Sequence, residues 1–255
     1  MSTVDNGSSV ELEALISMAQ AAETAGATDV DHMNGAAAAY NYIRIADLVQ
    51  SYWASQQISS PILDWGCGYG QVTWLLRRRQ VPVISCDVEE RPARKSIPEL
   101  ASLKIDRIED PVRLPYPPES FGAVLSVGVL EHVPDLAGSL REINRILKVG
   151  GILFIFMFPN RFSWAEWIAD WRGISVHPDR YTFRQTRRIL EEHGLRLEKK
   201  WRRNLFPRNL TGLNHQAKAL YGRYYRQVES ADKVLANWYP LGIFSGVLEG
   251  IARKA

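Results

Sequence analysis

The sequence predicts an α/β fold in which a mostly parallel sheet carries helices on both faces. From residue 62 onward, short apolar runs typical of buried strands alternate with segments of helical periodicity. Three glycines in five residues (Gly66, Gly68 and Gly70) directly follow the first of these runs. Ligands of open α/β sheets bind at such a strand end. The 255 residues leave room for one large domain with appendages.

Each element is predicted from its period and its end signals. Strands are expected at residues 62–63, 83–86, 103–108, 123–127, 152–158 and 195–201. Helices are expected at residues 10–25, 36–53, 72–79, 135–147 and 182–192. The pair Gly150–Gly151 is expected to end the helix that Asp135 caps, and Gly194 the helix that Thr182 caps. Residues 203–240 are expected to be helical, and residues 246–253 fit either a last strand or a short helix.

Composition and charge exclude several classes of protein. No basic region precedes an apolar core at the N-terminus, so no signal peptide is expected, and the apolar run 152–158 is too short to span a membrane. Two cysteines, Cys67 and Cys86, suggest a reducing, cytoplasmic location without a disulfide framework. Residues 172–208 carry eleven Lys or Arg against four Asp or Glu. This excess favours a solvated basic face over an anion-binding surface.

Glycine inside a secondary-structure element costs stability. Three of them in one loop therefore indicate that the loop needs backbone without side chains. Its spacing is G-x-G-x-G with Gln71 next, so it fails the dinucleotide fingerprint G-x-G-x-x-G by one residue. Asp87 ends the second strand, where a carboxylate can accept hydrogen bonds from both hydroxyls of a ribose. The competing interpretation of Asp87 is a helix cap or a surface acid.

Four motifs in order resemble those of the class I S-adenosylmethionine-dependent methyltransferases, especially the small-molecule, type 11-like group. They are "LDWGCGYG", "VISCD", "EDPVRLPYPPESFGAVLSVGVLEHVPD" and "LREINRILKVGGILFIFMFPN", and the resemblance covers about residues 59–202. It implies a seven-stranded Rossmann-like methyltransferase sheet with the last strand antiparallel, and S-adenosyl-L-methionine as cofactor. Around this core we expect an N-terminal helical lid or cap (1–58), a helical insertion forming part of the acceptor site (203–240) and a last strand returning to the core (241–255).

The resemblance also implies roles for individual residues. Asp64 with the backbone at Gly66 and Gly68 would hold the methionine portion, Asp110 the adenine amino group, and Leu130 would line the floor near the sulfonium. The predicted cofactor-binding set is Arg44, Asp64, Gly66, Cys67, Gly68, Tyr69, Gly70, Asp87, Val88, Asp110, Val112, Val127 and Leu130. Arg44 lies on the second helix and could pair with the methionine carboxylate, or be an ordinary surface arginine. Trp65 is expected beneath the sheet edge, and Tyr69 over the cofactor.

Three positions depart from the family pattern. Pro111 has no N–H for adenine N1, so that contact would shift to the N–H of Val112 or be missing. Gly122 stands where the family usually has Asp. Ubiquinone-pathway O-methyltransferases carry Glu-x-x-Glu-His as a metal site, and here Gly128 replaces the first ligand. The sequence therefore predicts no metal.

Two histidines and an aromatic segment are the candidates for the chemistry. His132 follows the fourth strand and is the better candidate for a general base, with His177 the weaker one. The alternative for His132 is a structural histidine that holds its loop. Acceptor-binding side chains are expected in the lid-like segment 159–181, namely Trp164, Trp167, Trp171 and Tyr181. The tryptophan face could instead pack on the core or the N-terminal helices, or lie on a membrane surface.

The predicted function is methyl transfer from S-adenosylmethionine to O, N or C of a small molecule that is partly hydrophobic and anionic. A tRNA or RNA methyltransferase is the second hypothesis, supported by the basic segment 172–208 alone. A non-catalytic protein that uses the fold to bind is the third, which Pro111 and Gly122 favour slightly. The sequence gives no basis for an oligomeric state.

Overall fold

The computed structural model describes residues 4–27, 33, 35–58, 60–174, 177–206 and 215–255. Its strands are β1 Ile62–Trp65, β2 Val83–Asp87, β3 Asp106–Arg107, β4 Phe121–Val127, β5 Leu147–Pro159, β6 Leu195–Arg203 and β7 Val247–Lys254. Its α-helices are α1 Val4–Thr24, α2 Gly35–Ser55, α3 Gln71–Arg78, α4 Pro98–Ala101, α5 Leu136–Ile146, α6 Trp164–Trp171, α7 Phe183–Glu192, α8 His215–Arg223 and α9 Tyr225–Leu235. Two 3-10 turns cover Pro92–Ser96 and Leu241–Phe244.

The seven strands form one sheet in the order β3-β2-β1-β4-β5-β7-β6. Strands β1 to β5 pair in parallel, whereas β7 lies antiparallel between β5 and β6. The predicted fold class is therefore confirmed, and the segment 246–253 is resolved in favour of a strand. The strand order reverses between β1 and β4, which opens a crevice at the carboxyl ends of these two strands.

Helices cover the two faces of the sheet and bury a hydrophobic core on each side. Apolar side chains of α1, α2 and α3 pack on one face, with Ile45, Val49 and Leu75 fully buried. Helices α5 and α7 pack on the other face, where Trp65 is buried as the sequence predicts. The central strands that lead into the glycine loop lie between these two cores.

Two helix boundaries differ from the sequence-based expectation. Helix α1 begins at Val4 rather than at residue 10, and α5 ends at Ile146 before the glycine pair. Strand β5 already begins at Leu147, which pairs with the start of β4. Gly150 has a φ of 72°, and a Cβ on Gly151 would lie 2.7 Å from the carbonyl oxygen of Lys148. The glycine pair therefore allows the backbone to bend inside β5.

The start and the end of α7 follow the predicted signals. The hydroxyl of Thr182 accepts a hydrogen bond from the Gln185 N–H, and the Gln185 side chain accepts one from the Thr182 N–H. This reciprocal pair is a capping box. Gly194 follows the helix with a φ of 73°, a conformation that favours glycine.

The segment predicted as a helical insertion contains α8 and α9, with residues 207–214 lying outside the described part. Tyr225 stacks on Tyr40 of α2 with ring centroids 5.4 Å apart. The buried carboxylate of Asp232 accepts hydrogen bonds from the N–H groups of Asn204 at 3.0 Å and Phe206 at 3.1 Å. The insertion is thus fastened to α2 and to the end of β6. Among the described residues, none of the helices has the length and apolar character needed to cross a bilayer.

Candidate active site

The glycine loop connects β1 to α3 at the crevice. All three glycines have positive φ, at 66° for Gly66, 59° for Gly68 and 94° for Gly70, and side chains rarely adopt such values. Gly66 is also crowded, because a Cβ there would lie 2.7 Å from a methyl carbon of Val129. Gly68 is open, with Arg91 Nε at 4.0 Å as the nearest neighbour. The loop thus packs on the β4 loop at one end and leaves bare backbone in its middle.

Asp87 fixes the shape of this loop from the end of β2. Its Oδ2 accepts a hydrogen bond from the Gly68 N–H at 2.7 Å, and its Oδ1 accepts one from the Glu89 N–H at 2.9 Å. Each carboxylate oxygen can accept more than one hydrogen bond, so this arrangement leaves capacity for hydroxyl donors of a ligand. Asp87 is buried, which argues against the surface-acid interpretation.

Asp64 is the most deeply placed carboxylate of the site. It is 2% exposed and accepts a hydrogen bond from the Thr73 hydroxyl at 2.6 Å. Burial raises the pKa of Asp64 to about 6. The nearby charge of Asp87 also raises this pKa, whereas the hydrogen bond from Thr73 lowers it. Helix α2 approaches this carboxylate through Tyr42, whose pKa is raised by burial and by the charge of Asp64. A buried carboxylate of this kind favours a cationic ligand.

Thr73 and Tyr42 were not among the predicted site residues. The hydroxyl of Thr73 also lies 2.7 Å from that of Ser85 on β2, so it links β1, α3 and β2. Nothing in a pattern of apolar spacing marks a buried threonine. Its position three residues after Gly70, in the first turn of α3, is the signal that could have revealed it.

The predicted adenine side lies at the ends of β2 and β3. Val88 follows Asp87 and is 40% exposed, as a residue that contacts a flat ring should be. Asp110 Oδ1 accepts hydrogen bonds from the N–H groups of Val112 at 2.8 Å and Arg113 at 3.2 Å. The Val112 N–H, the expected substitute for the one missing at Pro111, is thus already donated to Asp110. Asp110 Oδ2 is the oxygen left for an amine donor.

Two other predicted cofactor residues are half-buried in the structure. Val127 is the last residue of β4 and packs against the core that α1 to α3 share. Cys67 donates its N–H to the carbonyl oxygen of Cys86 at 3.1 Å. Burial raises the pKa of the Cys67 thiol well above its usual range, so the thiol stays protonated. Both cysteines are free.

Three residues that were predicted to contact the cofactor instead contact other side chains of the protein in this structure. The Tyr69 ring is buried in the core, with the Arg91 guanidinium 5.2 Å above it, so Arg91 is the group that faces the loop surface. Leu130 is buried beneath the β4 loop and packs with the apolar side chains of α5. Arg44 donates to both oxygens of Glu249, at 2.9 and 2.7 Å. Because Glu249 is buried on β7, this ion pair is part of the packing and occupies the guanidinium.

The two candidate histidines lie close together. Their rings lie 5.5 Å apart between centroids, and ligand atoms of Glu131, His132 and His177 all lie within 4.8 Å of one another. His132 is exposed on part of its surface, and the partial burial of the rest, together with the nearby charge of His177, lowers its pKa. His177 Nδ1 lies 3.0 Å from Glu166 Oε1, and this hydrogen bond is the main reason for its raised pKa. Burial raises the pKa of Glu131 to about 7.

The aromatic residues of segment 159–181 lie mostly on α6, which the structure leaves exposed rather than packed on the core. Trp171 is 86% exposed and Trp167 48%, with Trp167 also contacting Phe244 edge to face at 5.9 Å. Trp164 is anchored by an Nε1–H hydrogen bond to the Leu205 carbonyl oxygen at 2.8 Å. Tyr181 stacks on Phe158 at the end of β5, with centroids 4.5 Å apart.

Comparison with known proteins places this geometry in a family. A model of a methyltransferase domain matches residues 38–200, well over half of the chain. The chain belongs to this methyltransferase domain family. The match begins in α2 and ends in β6, so it contains the glycine loop, Asp87 and the β4 loop.

Curated relatives are similar over the central part of the chain. The ubiquinone biosynthesis O-methyltransferase of Cereibacter sphaeroides is 32% identical over 126 residues, covering 46% of this chain and 51% of that protein. The enzyme of the same name from Pseudomonas putida is 29% identical over 116 residues, covering 40% of this chain and 47% of its own length. The chain thus spans about half the length of the curated relatives it matches.

Solved structures share the fold at low sequence identity. The 1,6-didemethyltoxoflavin-N1-methyltransferase of Burkholderia thailandensis, solved with S-adenosylhomocysteine, is 18% identical with a TM-score of 0.53, covering 84% of this chain and 78% of that chain. The cyclase SpnF is 21% identical with a TM-score of 0.54, covering 83% of this chain and 80% of that chain. At these identities the likeness establishes the fold, which proteins of different chemistry share.

Proposed function

We propose that this protein transfers a methyl group from S-adenosylmethionine to a small-molecule acceptor. The observation that carries the proposal is the buried Asp64 carboxylate at the rim of the glycine loop. S-adenosylmethionine carries an ammonium and a sulfonium cation, and a cation near Asp64 relieves the cost of burying its charge. Membership of the methyltransferase domain family supports the same cofactor.

The remaining cofactor contacts follow from the loop geometry. Asp87, whose oxygens already order Gly68 and Glu89, has acceptor capacity for the two ribose hydroxyls. The bare backbone at Gly68 allows the cofactor to approach closely. Val88 would contact one face of the adenine, and Asp110 Oδ2 would accept from its amino group.

Methyl transfer requires little covalent chemistry from the protein. The sulfonium is already a good leaving group, so positioning the acceptor in line behind the methyl group, away from water, supplies much of the rate. A base is needed only for an acceptor that must lose a proton. His132 and His177 are the candidates for this base. The β4 loop that carries His132 packs on the glycine loop through Val129, and the His177 ring lies beside that of His132.

We propose that the acceptor is partly hydrophobic and binds under the exposed aromatic face of α6, which Trp167 and Trp171 form. Many arginines of the basic segment are already paired, among them Arg180 with Asp170, Arg188 with Glu192 and Arg203 with Glu229. This pairing favours a small acceptor with an anionic group over a long polyanion such as RNA. The relatives named above include both an O- and an N-methyltransferase, so either atom is a candidate.

The test combines binding with turnover. Calorimetry with S-adenosylmethionine and S-adenosylhomocysteine should give one site per chain, and labelled S-adenosylmethionine should transfer its methyl group to a member of a small-molecule panel. Binding without transfer to any small molecule or to RNA would favour a non-catalytic protein, or one of different chemistry on the same fold. Transfer to tRNA would favour the RNA hypothesis, and absence of binding would refute the proposal.

A further inference from the structure

Three side chains beside the glycine loop form a cluster that methyl transfer does not require. Glu131 and His132 follow β4, whereas His177 comes from the segment after α6, 45 residues further along the chain. One ligand atom of each lies within 4.8 Å of the others, close enough to bind a single ion after small side-chain movements. Glu131 and His177 are half-buried and His132 is exposed, so the cluster has an open path from solvent.

The donor set indicates which ions would fit. Two imidazoles and one carboxylate suit first-row transition ions such as Zn²⁺, Mn²⁺ or Fe²⁺, whereas Mg²⁺ and Ca²⁺ prefer oxygen ligands alone. Three protein ligands on one side leave further coordination positions open to water or to a bound molecule.

A second observation supports a ligand role for His177. Its Nδ1 lies 3.0 Å from Glu166 Oε1, a hydrogen bond that places the proton on Nδ1. The lone pair is then on Nε2, which is the nitrogen a metal would bind. A carboxylate behind an imidazole orients metal-ligating histidines in the same way. Glu166 is itself held by Arg180, 3.2 Å away, which also pairs with Asp170.

We infer that Glu131, His132 and His177 form a binding site for one divalent first-row transition ion, with Glu166 as the residue that positions His177. The sequence predicts no metal because Gly128 replaces the first ligand of a local motif. The structure brings a third ligand from segment 159–181 instead. A bound ion would therefore tie this segment to the β4 loop.

Metal binding is measured without reference to activity, on the untagged full chain after removal of metals with a chelator. Calorimetric titration with Zn²⁺, and separately with Mn²⁺, should give one equivalent of Zn²⁺ bound with micromolar or tighter affinity. Co²⁺ should add visible absorption bands in the same stoichiometry. A failure to bind one equivalent of any of the three ions at up to millimolar concentration would overturn the inference.

Substitutions of single residues test which side chains hold the ion. His132→Ala, His177→Ala and Glu131→Gln should each weaken Zn²⁺ binding at least tenfold, and Glu166→Gln about tenfold through His177. His193→Ala is the matched control, because His193 Nδ1 bonds to the Ile189 carbonyl oxygen on α7 at 2.7 Å. His132 is exposed, so its variant keeps the fold, which circular dichroism verifies. Unchanged affinity in His132→Ala and His177→Ala would refute the assignment.

Binding of S-adenosylmethionine, measured on the same variants, separates this inference from the proposed function. Retained cofactor binding with lost Zn²⁺ binding supports the metal site. A wild-type chain that binds the cofactor without binding any of these ions refutes the metal site and leaves the proposed function intact.

Discussion

The cofactor side and the acceptor side of the site are built in different ways. The cofactor side comes mostly from one short stretch, residues 64–88, whose groups are ordered by near neighbours such as Asp87 and Thr73. The proposed acceptor side would combine the β4 loop, segment 159–181 and the insertion, and ion pairs and aromatic contacts hold these segments in place. Groups ordered by neighbours in sequence can be predicted from the sequence. Groups brought together from distant segments can be placed only once the complete fold is known.

Arg44 was predicted to bind the cofactor and lies in an ion pair with buried Glu249, and its replacement has the largest expected effect. Arg44→Ala leaves the buried Glu249 carboxylate without its cation and also removes a contact to Glu229, 3.8 Å from Arg44 Nε. Breaking a buried ion pair in this way costs about 3–5 kcal/mol. We expect the free energy of unfolding in urea to fall by about that amount.

Two comparisons sharpen this result. Adding Glu249→Gln to Arg44→Ala should recover much of the lost stability, because no uncompensated charge is then buried. Arg188→Ala, which breaks the exposed pair with Glu192, should leave stability unchanged. If Arg44→Ala unfolds like the wild type and instead weakens cofactor binding, Arg44 belongs to the cofactor side as the sequence suggested.

Gly68→Val tests whether the middle glycine of the loop is needed to bind the cofactor. The φ of Gly68 is 59°, where a β-branched residue is strained, although its Cβ would meet no atom nearer than 4.0 Å. The loop should shift, lose the hydrogen bond to Asp87 and bind S-adenosylmethionine at least 100-fold more weakly, or about 3 kcal/mol. Calorimetry measures this affinity.

Gly26→Val is the matched control for that prediction. Gly26 has a φ of 83°, and a Cβ there would meet nothing within 4 Å, so the same strain is introduced outside the glycine loop. We expect a comparable loss of stability and unchanged cofactor affinity. Equal cofactor affinity in Gly68→Val and Gly26→Val would show that the loop does not hold the cofactor.

Asp64→Asn should raise the stability of the fold and weaken the binding of S-adenosylmethionine. The folded protein holds the pKa of Asp64 at about 6, above the ordinary value of 3.8, so ionising Asp64 destabilises the fold as pH rises from about 4 through 6. Asn keeps the hydrogen bond from Thr73 without the charge. At pH 7.5 we expect the variant to be more stable, by an amount on the order of 1–3 kcal/mol, and to bind S-adenosylmethionine about tenfold more weakly.

The pH dependence identifies the cause. The stability difference between Asp64→Asn and the wild type should vanish near pH 3, below the ordinary pKa of 3.8, where the carboxyl is neutral in both the folded and the unfolded wild type. Urea unfolding at pH 3, 4.5, 6 and 7.5 measures it. A difference that is the same at all four values would mean that shape rather than charge separates the two proteins.

The same contrast explains how much could be predicted from the sequence. Strand period and the glycine spacing are local signals, and they predicted the fold class and the bare backbone of the loop. The partner of Arg44 could not be predicted, because Glu249 is 205 residues away and nothing in either segment marks the pair. Likewise, Glu166 behind His177 and the burial of Leu130 depend on how distant segments pack. The helix end was predicted at residue 147, next to the observed Ile146, but the glycine pair was assigned to that end and lies instead inside β5, which begins immediately.

Trp171→Ala probes the acceptor side with the smallest expected effect. Trp171 is 86% exposed, so its loss should change the free energy of unfolding by less than about 0.5 kcal/mol and leave cofactor affinity unaltered. If the exposed face binds the acceptor, KM for the acceptor that turns over should rise about threefold to tenfold. Val149→Ala, exposed at the opposite end of β5, is the control and should leave KM unchanged. An unchanged KM, with loss of sedimentation on anionic lipid vesicles in Trp171→Ala alone, would instead assign the aromatic face to a membrane surface.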